Sequence, residues 1–196
     1  MNAKKWFTLT AAGLVLSGAA TAGALATNAQ AVDPGITVVK SSTSTAGETV
    51  IATCPSGSKV IGGGYQGAAV FNNPGTVSSA TADLVEANTP TSDGTGWVAR
   101  FAEGRVIATA ICETGASTQV VKSGASKAGE TAIATCPSGS KVIGGGYQGA
   151  AVFSNPGTVS ERIDDIVEAN TPTMAGTGWG ARFANGRVIA TAICSA

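Results

Sequence analysis

Along most of the chain, apolar residues alternate with small or polar ones in short runs, and Gly, Pro and Asn separate the runs. A period of two is the mark of strands with one buried face, and the separating residues are those that turns require. Strands are predicted at 37–40, 49–54, 59–65, 83–88, 97–103 and 105–112, with turns at Pro55-Ser56-Gly57, Asn72-Asn73-Pro74-Gly75 and 90–96. No stretch sustains a helical period, so helix is expected to be scarce. In the fifth of these strands Trp97, Ala99 and Phe101 share one face and Val98, Arg100 and Ala102 the other, and the aromatic face is expected to meet the core. In the sixth, Val106, Ala108, Ala110 and Cys112 oppose Ile107, Thr109 and Ile111, and alternation leaves open which set is buried. The steps Glu103-Gly104 and Asn185-Gly186 read as tight hairpin turns between successive strands.

Three consecutive glycines, Gly62-Gly63-Gly64, interrupt a strand pattern and give up side-chain packing there. They imply either a bulge or the close approach of another strand, or else a flat backbone surface for a ligand. A phosphate loop does not fit, because neither its Lys-Ser/Thr ending nor a following helix is present.

Shifting the chain by 82 positions superimposes 38–112 on 120–194 without an insertion, and roughly four positions in five are identical. A repeat of that length is a whole domain present twice. The expected organisation is a leader at 1–31, a first β domain at 32–112, a linker at 113–119 and a second β domain at 120–196. The fold class is all-β: two tandem homologous domains, each a small β-sandwich or barrel.

The leader is read from residue order: Lys4 and Lys5, an apolar run from Trp6 to Leu16, then small residues ending at Ala29-Gln30-Ala31. This is the pattern of a secretory signal peptide cleaved after Ala31, and the apolar run is short of the ~20 residues that span a bilayer. A released, extracellular protein with no membrane association is expected. Without the leader, ten basic residues face twelve acidic ones. No basic patch is available to grip a phosphate backbone, which argues against nucleic acid as a partner.

Four cysteines in an exported chain are expected to form disulfides. Of the three pairings, only Cys54–Cys112 with Cys136–Cys194 closes each copy on itself. Domains of this size have marginal cores, so each bridge should matter to stability.

Catalytic chemistry is harder to find. The chain has no histidine, which removes the usual general base of hydrolases and the commonest zinc ligand. No metal, cofactor or catalytic residue is expected. Glu86 with Arg100, and Glu168 with Arg182, are placed to form ion pairs across neighbouring strands. Asp164-Asp165 occurs in one copy only and reads as a solvated turn. Candidate binding residues are the strand-end pairs Tyr65-Gln66 and Tyr147-Gln148, read as exposed, and the positions where the copies diverge, Glu161, Arg162 and Met174. Trp97 and Trp179 are expected in the core, with sugar stacking as the alternative.

The run from Cys54-Pro55-Ser56-Gly57 through Gly62-Gly63-Gly64-Tyr65, followed by Asn88-Thr89-Pro90, Gly96-Trp97 and a closing strand to Cys112, recurs in both copies. It resembles the small secreted actinobacterial domains that begin Cys-Pro-x-Gly, continue through Gly-Gly-Gly-Tyr and end at a strand-borne cysteine. It is also similar to the small adaptor subunit of Streptomyces umbrella toxin particles, which joins a repeat-bearing scaffold to lectin-like subunits. The first resemblance carries no activity; the second, with a duplication that raises avidity through effective concentration, implies a non-catalytic adaptor or structural subunit of an extracellular protein complex, with other secreted proteins as partners. The alternatives are a secreted hydrolase inhibitor, with 72–76 as its exposed loop, and a carbohydrate-binding lectin with a glycan ligand.

Overall fold

The computed structural model describes residues 30–33, 35–68, 84–150 and 166–195. Strand β1 (Gln30–Asp33) overlaps the last two residues of the leader expected at 1–31, and the first copy continues with β2 (Ile36–Lys40), β3 (Val50–Thr53), β4 (Ser58–Gly67), β5 (Val85–Pro90), β6 (Gly96–Phe101) and β7 (Val106–Thr114). The second contains β8 (Thr118–Lys122), β9 (Ala132–Thr135), β10 (Val142–Gly149), β11 (Val167–Pro172), β12 (Gly178–Phe183) and β13 (Val188–Ser195). Each predicted strand therefore has a counterpart, displaced by a residue or two at its ends.

In the first copy β1-β2-β7-β4 form one antiparallel sheet, and β3-β6-β5 form a second layer facing it. Between them lie Val60 of β4, the Val106, Ala108, Ala110 and Cys112 face of β7, Ala52 of β3, and Trp97, Ala99 and Phe101 of β6. Each sheet has one apolar face, and burying the two against each other gives a sandwich with open edges, not a barrel. Small alanines on β7 opposite the large rings of β6 let the layers approach closely.

The Glu103-Gly104 turn departs from its sequence expectation. Strands β6 and β7 belong to different sheets, so Glu103-Gly104 carries the chain from one layer to the other and does not close a hairpin. The inward faces of the two strands look at each other across the core, which a hairpin within one sheet would prevent. The arch is held by Gly47 N–H donating to the Gly104 carbonyl at 3.0 Å, and Gly129 does the same for Gly186 in the second copy.

The glycine triplet serves both a bulge and a close approach. The β4–β7 register shifts between Val60 and Gly62, and β10–β13 shifts between Val142 and Gly144. At Gly63 a Cβ would run into the Trp97 ring and the Thr109 carbonyl, and at Gly145 into the Trp179 ring and the Thr191 carbonyl. The bare backbone is the floor on which each indole lies, with its N–H donated to Asn88 Oδ1 at 2.7 Å or Asn170 Oδ1 at 2.6 Å.

Both disulfides form within their copies, Cys54–Cys112 and Cys136–Cys194, each across 58 positions with Cα atoms 5.7 and 5.6 Å apart. They tie the residue after β3 or β9 to the central strand of the opposite sheet, so each bridge crosses the sandwich. Bridges of this kind belong to an oxidising compartment.

The two copies are not embedded alike. Strand β5 pairs with β10 through Asn88↔Tyr147 and Ala87↔Gln148, which joins β3-β6-β5 to β10-β13-β8 as one six-stranded sheet. Strand β11, the twin of β5, remains the edge of the three-stranded sheet β11-β12-β9. Strand β4, the twin of β10, is paired among the described residues on one side only, with β7.

Candidate protein-binding site

The place where this fold is seen to grip another β domain is the junction between its own copies. Beyond the two rungs of ladder, Thr89 donates its hydroxyl to Thr191 Oγ1 at 2.9 Å. Ile193, on the outward face of β13, is fully buried and packs into the first copy's core cluster. Gly146 lies against the backbone of Asn88 and Thr89, where a Cβ would collide with both. The Val106, Ala108, Ala110 and Cys112 face of β7 is the buried one, as is its twin on β13, but the opposite face differs between the copies. In the first copy Ile111 is 36% exposed, and in the second its twin Ile193 is at 0%.

The tyrosine–glutamine pairs divide in the same way. Tyr65 is 42% exposed although its ring meets Phe101 edge to face at 5.5 Å. Gln66 beside it is half-buried and accepts from Lys40 Nζ at 3.0 Å. Tyr147 and Gln148 are each 4% exposed, which corrects the expectation that they form a surface pair. The cause is β5, which seals the edge of β10 that β4 leaves open. Burial raises the Tyr147 phenol well above its ordinary range and lowers Lys122, whose Nζ donates to Gln148 Oε1 at 3.2 Å.

Of the divergent positions, Glu161 and Arg162 lie outside the described residues, as do Asp164-Asp165 and the loop at 72–76. Met174 is fully exposed, at the turn after the open strand β11. Ile166, just before that strand, and Ile143 at the start of β10 are exposed as well. The second copy thus shows apolar side chains around its unpaired edge, a feature that alternation within one copy could not reveal.

Trp97 is only 2% exposed, so its ring has no free face for sugar stacking, whereas Trp179 is half-buried against the second core. Glu86 and Glu168 are taken up by Arg100 and Arg182, each with Nε donating at 2.7 Å. The pairs predicted across neighbouring strands are therefore present in both copies.

The turn before β6 carries a local difference. Asp93 accepts from the Thr91 hydroxyl at 2.6 Å and from the Thr95 amide at 3.1 Å, while Gly94 adopts the left-handed φ of 68° that closes the turn. Hydrogen bonds from Thr91 foremost, then Thr95, lower the Asp93 carboxyl from 3.8 to about 2. The second copy has Ala175 there, and the Thr173 hydroxyl is left without a hydrogen-bond partner. A carboxylate with a lowered folded pKa stabilises above its unfolded pKa, and the gain fades as pH falls through the folded value. Accordingly Asp93→Ala should lower thermal stability at pH 7, and its melting curve should converge on the wild-type curve between about pH 4 and pH 2. Thermal scans across that window measure this, and a gap constant in pH would remove Asp93's charge as its source.

Compared with known proteins, the chain matches no family model and no curated sequence.

Proposed function

We propose that this protein is a secreted, non-catalytic subunit of an extracellular protein assembly, binding its partners through sheet edges and the outer sheet face. The observation that carries the proposal is the junction itself, where a β5 edge of this domain type docks on a β10 edge and the adjoining face, by main-chain pairing, a threonine contact and an inserted isoleucine. Main-chain pairing at a sheet edge is a general mode of protein recognition, with side chains on the adjoining face adding selectivity. The matching surfaces at the far side of each copy have no partner among the described residues, and unpaired edges of this kind are templates for another chain.

Several features support the assignment to export and binding. The leader pattern at 1–31 and two cross-sandwich disulfides agree with secretion. The absence of histidine from the chain, the cysteines spent on bridges and the engagement of Glu86 and Glu168 by arginine favour binding over catalysis. The resemblance to an adaptor subunit of a toxin particle points to the same role.

The test is cross-linking of the mature protein in native culture supernatant, followed by mass spectrometry of what it holds. Secreted proteins joined in fixed ratio, with contacts at β11 or at β4, are the expected result. Thr171→Arg on β11 should reduce the contacts at that edge, since Thr171 is exposed and its loss leaves the core intact. A protein recovered with no partner of any kind would overturn the proposal.

A further inference from the structure

The junction between the copies is built from two different surfaces. The first copy contributes an edge, comprising the Ile61 carbonyl, Asn88, Thr89, Pro90 and Gly94. The second contributes a face made of Val120, Gly144, Gly146, Thr191 and Ile193. A Cβ on Gly144 would come within 3.0 Å of the Ile61 carbonyl, and one on Gly94 would lie 3.4 Å from Val120 Cγ2. Gly146 abuts Asn88 and Thr89, Thr89 bonds Thr191, and Ile193 enters the first copy's core. Thr89 and Pro90 are fully buried by this arrangement.

Every member of both surfaces has an identical twin, and none of the twins meets such a partner among the described residues. The second copy's edge carries Ile143, Asn170, Thr171, Pro172 and Gly176, and there Thr171 and Pro172 are exposed. The first copy's face carries Val38, Gly62, Gly64, Thr109 and Ile111, and a Cβ on Gly64 would meet nothing within 4 Å. A glycine in the middle of a strand normally answers to a close neighbour. Gly146 has one and Gly64 lacks one among the described residues, yet the residue is the same. Tyr65 stands in like case, exposed where Tyr147 is sealed.

We propose that chains of this protein join head to tail. The β11 edge of one chain seats on the β2-β7-β4 face of the next, repeating between chains the contact that β5 makes with β8-β13-β10 within one. The proposal rests on the protein-binding reading above and names its partner as a second copy of the chain. Because edge and face are different surfaces, the contact is heterologous, and repetition produces a closed ring or an open filament. The linker gives the internal contact a high effective concentration that the external one lacks, so assembly depends on protein concentration.

The experiment uses the mature chain in sedimentation velocity over a concentration series reaching the millimolar range. The wild-type protein is expected to gain mass with concentration. Gly64→Val blocks the free face and Thr171→Arg blocks the free edge, and each should raise the concentration needed for assembly by more than about tenfold. Both substitutions fall in open or exposed positions, so unchanged melting curves verify that the fold and the internal junction persist. The decisive arm is mixing: the Gly64→Val protein keeps an edge and the Thr171→Arg protein keeps a face, so together they form a complex of two chains and no more. A wild-type chain that stays monomeric throughout, assembly indifferent to both variants, or a mixture without the two-chain complex overturns the inference. A monomer that nonetheless holds other secreted proteins at β11 overturns self-assembly alone, whereas a monomer that holds none overturns the binding function too.

Discussion

Arg100→Met is expected to cost about 3 kcal/mol of stability, and Arg182→Met no more than about 1 kcal/mol. The two arginines are twins, each with Nε 2.7 Å from the twin glutamate. Their surroundings differ. The side chains of Arg100 and Glu86 are 15% and 4% exposed, against 44% and 45% for Arg182 and Glu168. Removing Arg100 leaves the Glu86 carboxylate buried without its counter-charge, whereas water solvates Glu168 when Arg182 is removed. For a chain of this size the first change corresponds to a fall in melting temperature of roughly 10 °C. Adding Glu86→Gln to Arg100→Met should recover much of the loss, because the stranded charge is then gone. Thermal melts of the two single variants and the double variant are the measurement, and equal losses at the two arginines would show that burial does not set the cost.

The larger expected effect comes from the bridges. Each closes a loop across 58 positions, for which the chain-entropy model gives a contribution of about 4 kcal/mol. Replacing Cys54 and Cys112 by serine should remove about that amount, and the Cys136 and Cys194 pair at least as much. Cys194 adjoins Ile193, whose side chain is seated in the first copy, so loss of the second bridge also loosens the junction. Cys112 adjoins Ile111, which faces solvent at the equivalent place. Denaturant unfolding of the two double-serine variants tests both the size and the order of these losses.

Much of this architecture was legible in residue order. The alternation along 97–103 and 105–112 located two central strands, and the duplication with its cysteine spacing allowed the correct pairing of bridges. The Glu86–Arg100 and Glu168–Arg182 pairs could also be read from strand positions. The fate of twin residues could not. Tyr65-Gln66 and Tyr147-Gln148 have identical neighbours in sequence, and what separates them is β5, which runs along one pair and has no counterpart along the other. Local sequence carries propensity and periodicity, but the choice of which identical strand is sealed is made by tertiary contact. The Glu103-Gly104 step failed for a related reason: a turn signal marks where the chain bends and leaves unstated whether the next strand joins the same sheet or the opposite one.

The position of the bridges has a mechanical consequence. Strands β4 to β7 lie almost wholly inside the loop closed by Cys54–Cys112, and β10 to β13 almost wholly inside the loop closed by Cys136–Cys194. Tension applied to the two ends of the chain would run through the covalent bridges and bypass both loops. Only the leading strands of each copy and the linker between them could be drawn straight. The greater part of each core would stay enclosed by its bridge, whereas the β5–β10 seam spans the same gap as the linker and must part before the linker straightens.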